Sequence, residues 1–383
     1  MLFVAHAVGT GNITLVLAFA PVLQSELGVA PSEFGWAVAC YHAAQMVCAL
    51  PAGWLVDRFG IRRVLMGSHV ILACGMATIA RAHGPAGLVV GLILCGFGYA
   101  LINPATARGA LAWFAPRFRA TAMGAKQTGV PIGAVALAMT ATVIDDQWRM
   151  LALALTTVLL ITTLAFLKLS DGDVDAAPST MLRDLRHLLS HPVLSTINIA
   201  TCLYTTALSA LLAYFVTFVY QVMQVPAATA GLFLALVQGA SAVGRIAWGV
   251  ASDRLPGNGR IIGLLNCGVI GGAGIAALPF ASSTTALAIL ALALGFTVGG
   301  FASLAQTVAV ECVEPRLAGA AVGYNMLLTT AGMMIGPALF AMCLSLGDYQ
   351  FSWQLMALCL FAGALLFACS GKTRRPPFKP SHQ

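Results

Sequence analysis

The chain has 383 residues, 59% of them hydrophobic and only 9% charged, with a mean hydropathy of +0.89 and a net charge of +7. A soluble domain carries about 25% charged residues, so the composition excludes a water-soluble fold. The uncharged runs 222–244 and 284–310 exceed the roughly 20 residues a bilayer-crossing helix needs, and they do not alternate as barrel strands do. The fold class is therefore an all-α polytopic membrane protein.

Charge and Pro/Gly clusters divide the chain into twelve expected spans, near 3–24, 33–56, 64–81, 85–110, 121–143, 148–168, 192–220, 227–251, 261–281, 284–310, 317–345 and 350–370. The first 20 residues lack a basic leader region and precede equally apolar chain, so they read as span one and not as a signal peptide. With both termini cytoplasmic, fifteen Lys/Arg of the loops and tail fall inside and only Arg81 and Arg149 outside, which fits the positive-inside rule. The longest connection, 169–191, carries Asp171, Asp173 and Asp175 and then the amphipathic "MLRDLRHLL". Residues 1–168 are thus expected as one six-helix bundle, 169–191 as a cytoplasmic linker, 192–371 as a second six-helix bundle and 372–383 as a cytoplasmic tail. The ten cysteines are scattered singly through apolar runs, without metal-ligand spacing, and read as small core residues.

The two halves repeat. A shift of 199 positions lays 95–126 on 294–325 without a gap, placing Gly96-Phe97 on Gly295-Phe296 and Pro116-Arg117 on Pro315-Arg316. A shift of 196 lays "GWLVDRFG" on "GVASDRLPG", placing Gly53, Asp57 and Arg58 on Gly249, Asp253 and Arg254. Repeats of six spans each are parallel in orientation, and transporters built this way bind substrate between the halves near mid-membrane.

With twelve spans, a central linker and this loop, the chain resembles the major facilitator superfamily over its whole length. The family signature G-x-L-x-D-R-x-G-R-(R/K) appears as Gly53, Leu55, Asp57, Arg58, Gly60 and Arg62, with Ile61 where the family usually has a basic residue. The resemblance implies alternating access by rocking of the two bundles. It also implies a cytoplasmic gate in which Asp57 faces the start of span eleven, a positive helix terminus. Gly53 and Gly60 would permit close helix approach and a tight turn. Leu92 stands where span four of the family usually carries a buried Arg, and span five reads "GVPIG" (Gly129, Pro131, Gly133) in place of G-P-x-x-G-G.

Ionisable groups inside a membrane are functional candidates by default. All thirteen Asp/Glu lie in loops or near span ends. The basic side is populated: His6 in span one, His42 in span two, Lys126 in span five and Arg245 in span eight. Lys126 is followed by Gln127. The shift of 196 places His42 on Gln238, and that of 199 places Lys126 on Asn325. Asn12, Asn103, Tyr204 and Gln306 are further polar candidates. A cavity with Lys, Arg and His and no acid attracts an anion. The expected function is transport of a small organic anion such as a carboxylate, by exchange or by proton-linked symport with His42 as carrier, which suits a monocarboxylate-like branch of the family. The alternatives are a multidrug or neutral-metabolite exporter and a non-transporting membrane sensor. No catalytic motif, cofactor, metal site or nucleic acid partner is expected. The chain is expected to work as a monomer in a bacterial inner membrane, with lipid and a small-molecule solute as its partners.

Overall fold

The computed structural model describes residues 1–114, 126–140, 147–169, 188–254, 259–313 and 318–373. Among these, the regular structure is helical: α1 (Leu2–Ala18), α2 (Ala20–Leu27), α3 (Pro31–Ala80), α4 (Pro85–Trp113), α5 (Gly129–Thr140), α6 (Trp148–Phe166), α7 (Pro192–Gln221), α8 (Ala227–Arg254), α9 (Gly259–Ala277), α10 (Thr284–Val298), α11 (Ala302–Glu311), α12 (Ala318–Leu346) and α13 (Tyr349–Thr373). Nine segments among the described residues are long and apolar enough to cross a bilayer, and the pair α1–α2 makes a tenth. Each of the twelve expected spans has a helical counterpart. Span two is the first part of α3, and span five is α5 with the turn before it.

Three boundaries differ from expectation. Spans two and three are not separated by a loop: α3 runs through the signature and breaks its helical geometry at Gly60 alone, with φ 82° and ψ 165°. That conformation is open to glycine and strained for other residues, so one residue makes the turn that seven were expected to share. Span one is two helices meeting at 63° around Phe19. Pro21 has no N–H and its ring clashes with the carbonyl four residues back, which breaks the helix there. Span ten is interrupted between α10 and α11, where Gly299 and Gly300 lie. Of the expected linker 169–191, residues 170–187, with most of its surface helix, lie outside the described residues, as does the tail beyond 373.

The sequence repeat is also a packing repeat. A Cβ on Gly96 of α4 would collide with the Tyr41 carbonyl and Ala44 of α3; one on Gly295 of α10 would collide with the Val237 carbonyl and Ala240 of α8. Those partners are related by the same shift of 196 that aligns the signature. Gly133 of α5 packs on the Ala7 backbone of α1, and its equivalent, Gly332 of α12, packs on Cys202 and Thr205 of α7. In lipid, where burying apolar side chains between helices gains little, small residues let backbones approach and let dispersion hold the helices. Glycine at matching positions therefore builds the same helix pairs twice.

The halves meet along α3–α12, α5–α8 and α1/α2–α7. Gly35 of α3 fits under the Tyr214 hydroxyl of α7 and the Pro337 carbonyl of α12, and Gln24 Nε2 of α2 donates to Thr217 Oγ1 of α7 at 3.0 Å. These contacts lie at the end of α3 away from the signature. At the signature itself, a methyl group on Gly53 would meet no described atom within 4 Å, so the expected close approach is not seen among the described residues. Arg58 lies over the ring of Phe59 at 5.8 Å, and Arg62 is half-buried. The side chains of Asp57 and Asp253, and the gate contact assigned to Asp57, lie outside what is described; Arg254 is exposed at the end of α8.

Candidate substrate site

Helix α4 is apolar except for a few positions. Tyr99, Asn103 and Thr106 follow one another at intervals of four and three, so they share one face. Each holds something the sequence left dispersed.

Lys126 sits in the helical turn before α5, 1% exposed. Its Nζ donates to Asn103 Oδ1 at 2.7 Å and to Thr106 Oγ1 at 3.2 Å. The Asn103 carbonyl lies at the limit, 3.5 Å. Every one of these partners is neutral. The ion pairs among the described residues join Arg149 to Glu26 and Arg260 to Glu311, both at helix ends. Lys126 is thus a buried ammonium solvated by two side-chain oxygens and, among the described residues, by no carboxylate. His6 of α1 completes the cluster, with Nε2 2.9 Å from Thr106 Oγ1. On the other side, Asn103 Nδ2 donates to Met326 Sδ of α12 at 3.2 Å, which links the cluster to the second half.

One turn along α4, the Tyr99 hydroxyl shares a hydrogen with Thr10 Oγ1 of α1 at 3.2 Å and lies within electrostatic reach of Arg245 on α8. Arg245 is half-buried and donates from Nε to the Gly299 carbonyl at 3.3 Å; Ser241 donates to the same oxygen at 2.9 Å. The break between α10 and α11 supplies this acceptor, because Gly299 is no longer committed to a continuous helix. Gln238 stands seven residues before Arg245, two turns along the same face of α8, and makes no polar contact with the described residues. Positions four apart on a helix are neighbours about 5–6 Å apart. Tyr99 and Asn103 thus stand one turn apart on α4: Asn103 holds Lys126, and Arg245 of the other half lies within electrostatic reach of Tyr99.

The remaining candidates separate. His42 is buried, edge-on to Tyr41 at 4.9 Å, with Nδ1 unpartnered among the described residues. Asn325 donates to Asn198 Oδ1 of α7 at 2.8 Å, inside the second half. Gln127 is half-buried and makes no polar contact with the described residues. Tyr204 is not at the interface between halves. Its hydroxyl donates to the Leu264 carbonyl of α9 at 2.8 Å, and its ring is wedged against Phe301, Phe367, Gly268 and Gly363. It is a packing residue, placed there because a buried hydroxyl needs an acceptor and α9 offers one.

Sequence reasoning passed over Tyr99 and Thr106. A signal existed: the shift of 199 places Tyr99, Asn103 and Thr106 on Val298, Ala302 and Ala305. The repeat is thus polar in one copy and apolar in the other along that helix face.

A family model described as Major Facilitator Superfamily matches residues 1–326 and 259–383. Monocarboxylate transporter 13 of Rattus norvegicus is 27% identical over 353 residues, spanning 89% of this chain and 79% of that protein. The hexuronate transporter of Escherichia coli K12 is 31% identical over 122 residues, 31% of this chain and 28% of that protein. Among solved structures, a bacterial homologue of the human lysosomal transporter Spinster, inward-facing and occupied, superposes with a TM-score of 0.85 at 14% identity, covering 99% of this chain and 97% of that one.

Proposed function

The chain belongs to the Major Facilitator Superfamily and is a multi-pass membrane transporter, and we propose that its cargo is a small organic anion bearing a carboxylate. The observation that carries this reading is the hydrogen-bond shell of Lys126: a 1% exposed ammonium held by Asn103 and Thr106, with no carboxylate on it among the described residues. Burying an unpaired charge costs several kcal/mol even after relaxation. A substrate carboxylate offsets that cost by supplying a counter-charge to Lys126. Arg245 offers planar donors suited to a carboxylate and, from the other half, lies within electrostatic reach of Tyr99 on α4. An anion held by both cations bridges the two bundles, which is what alternating access by rocking requires of a substrate. Similarity to a protein named as a monocarboxylate transporter, over most of both chains, supports the same class. The charge distribution supports a cytoplasmic placement of the signature side, the linker and both termini, in a bacterial inner membrane.

The test is uptake into proteoliposomes of labelled lactate, benzoate and glucuronate. Wild type is expected to accumulate at least one of them, with Lys126→Ala and Arg245→Ala each reducing its uptake by about tenfold or more. If both variants leave uptake of every carboxylate intact, the anion reading fails.

One observation favours a second reading. An open groove of about 620 Å³ between α5, α8 and α10 is lined only by apolar or small residues, among them Val135, Leu236, Gly239 and Phe296 and the exposed Met139. A neutral or amphiphilic solute would fit it, as an exporter requires. Drug-susceptibility profiling of an overexpressing strain separates the two, because a carboxylate transporter leaves the profile unchanged.

A further inference from the structure

Thr106 has one hydrogen and two lone pairs, and several neighbours compete for them. Its Oγ1 lies 2.7 Å from the Ile102 carbonyl and 3.1 Å from the Asn103 carbonyl, both acceptors, so its own proton turns back onto α4. Lys126 Nζ, at 3.2 Å, only donates and takes one lone pair. His6 Nε2, at 2.9 Å, then donates into the other. This sets the imidazole tautomer: hydrogen on Nε2 and a bare lone pair on Nδ1. His6 is 2% exposed, and Nδ1 meets no donor among the described residues. A neutral imidazole with an open proton site therefore stands one hydroxyl away from an ammonium that has no counter-ion among the described residues.

We infer that His6 carries the proton that accompanies the anion, with Thr106 as the link between the proton site and the anion site at Lys126. This rests on the carboxylate reading above. The step is a protonation alone: the Nδ1 lone pair takes a proton from hydronium on the loading side, leaving water, and the same N–H bond breaks to water on the other side, giving hydronium there. With the site empty, a second cation beside Lys126 is repelled in the low-dielectric interior, so His6 stays neutral. A carboxylate on Lys126 removes that repulsion and makes room for the imidazolium. The loaded site (ammonium, carboxylate, imidazolium) then has the same net charge as the empty one (ammonium alone), so neither moves extra charge through the membrane. The groups facing His6 are Thr106 from α4, Lys126 from the turn before α5 and, at longer range, His69 from α3; Gly129 packs on its Cβ. No carboxylate among the described residues faces it. His42, the carrier expected from sequence, has no comparable bond to Lys126 or Thr106 among the described residues.

The experiment measures anion uptake and proton uptake together, in full-length transporter reconstituted with a pH dye in the lumen, using lactate, benzoate and glucuronate. Wild type is expected to bring in about one proton with each anion it carries. His6→Gln keeps a donor for Thr106 but has no titrating nitrogen, and Thr106→Val keeps the shape but cuts the link. Both are expected to lower the proton-to-anion ratio to near zero, whatever their rates, and to abolish accumulation driven by a pH gradient. Anion uptake by wild type without protons overturns the inference and leaves the carboxylate reading standing. An unchanged ratio in either variant overturns it in the same way, and Thr106→Val serves if His6→Gln does not fold. If wild type carries none of the three anions and none releases or takes up protons, the carboxylate reading fails and this inference fails with it.

Discussion

The side-chain amide of Asn103 donates to Sδ of Met326 at 3.2 Å while its oxygen accepts from Lys126 at 2.7 Å. One residue thus touches the buried cation of the first half and a helix of the second. Asn103→Asp would place a carboxylate where Lys126 now finds a neutral oxygen. The internal ion pair is expected to mimic bound substrate. Carboxylate uptake should fall by about tenfold or more, while thermal unfolding in detergent moves up by roughly 1 kcal/mol or more. A variant with wild-type uptake would show that the Lys126 charge is not the anion's contact.

Arg245 gives a second, graded test. Its guanidinium is anchored at Gly299 through Nε alone, which leaves its terminal nitrogens for a ligand among the described residues. Arg245→Lys keeps the charge but loses the planar fork, and an Arg-to-Lys change at such a site is not conservative. A rise of about tenfold in KM, near 1.4 kcal/mol, is expected, with a larger loss for Arg245→Ala. Equal KM values for wild type and Arg245→Lys would remove the planar contact from the reading.

The end of the molecule away from the signature is closed by Gly35 beneath Tyr214 and Pro337 and by the Gln24–Thr217 bond. Gly35→Ala inserts a methyl group where backbone and hydroxyl already meet. It is expected to wedge α3 from α7 and α12 and shift the population toward opening at that end. Spin-label distances between α2 and α7, broader and longer in the variant, would report the shift; superimposable distributions would argue against it.

Two glycines seven residues apart on α3 should behave oppositely. Gly60 holds φ 82°, whereas Gly67 is helical with no described atom near its missing methyl. Gly60→Ala is expected to cost about 1–3 kcal/mol of strain. Gly67→Ala is expected to gain about 0.5–1 kcal/mol in helix stability. Thermal or denaturant unfolding of the pair checks both signs at once.

Tyr204 supplies a control. Tyr204→Phe removes the bond to Leu264 and keeps the ring in its pocket, so a loss of about 1 kcal/mol in stability is expected. Transport kinetics should match wild type. A large KM effect would return Tyr204 to the substrate path.

The repeat was legible because it is written in glycines. Gly96 and Gly295, or Gly133 and Gly332, must be small for helices to touch, and that demand is local and shows as spacing. The signature turn was legible for the same reason, since Gly60 alone satisfies its backbone angles. The cations were visible as rare charges in apolar runs. Their grouping was not. Tyr204 and Asn103 look alike in sequence, each a lone polar residue mid-span, yet one is locked inside the second half and the other holds Lys126.

The unaided chain settles membrane class, twelve helical segments, the two-fold repeat and the family, because hydropathy, charge and glycine spacing act along the chain and need no knowledge of neighbours. It could not tell which polar residues meet. That depends on how α1, α4, α8 and the turn before α5 rotate and slide against one another. Those rotations are set by packing from every side, and they alone bring His6, Thr106, Asn103 and Lys126 into one cluster one turn of α4 from Tyr99.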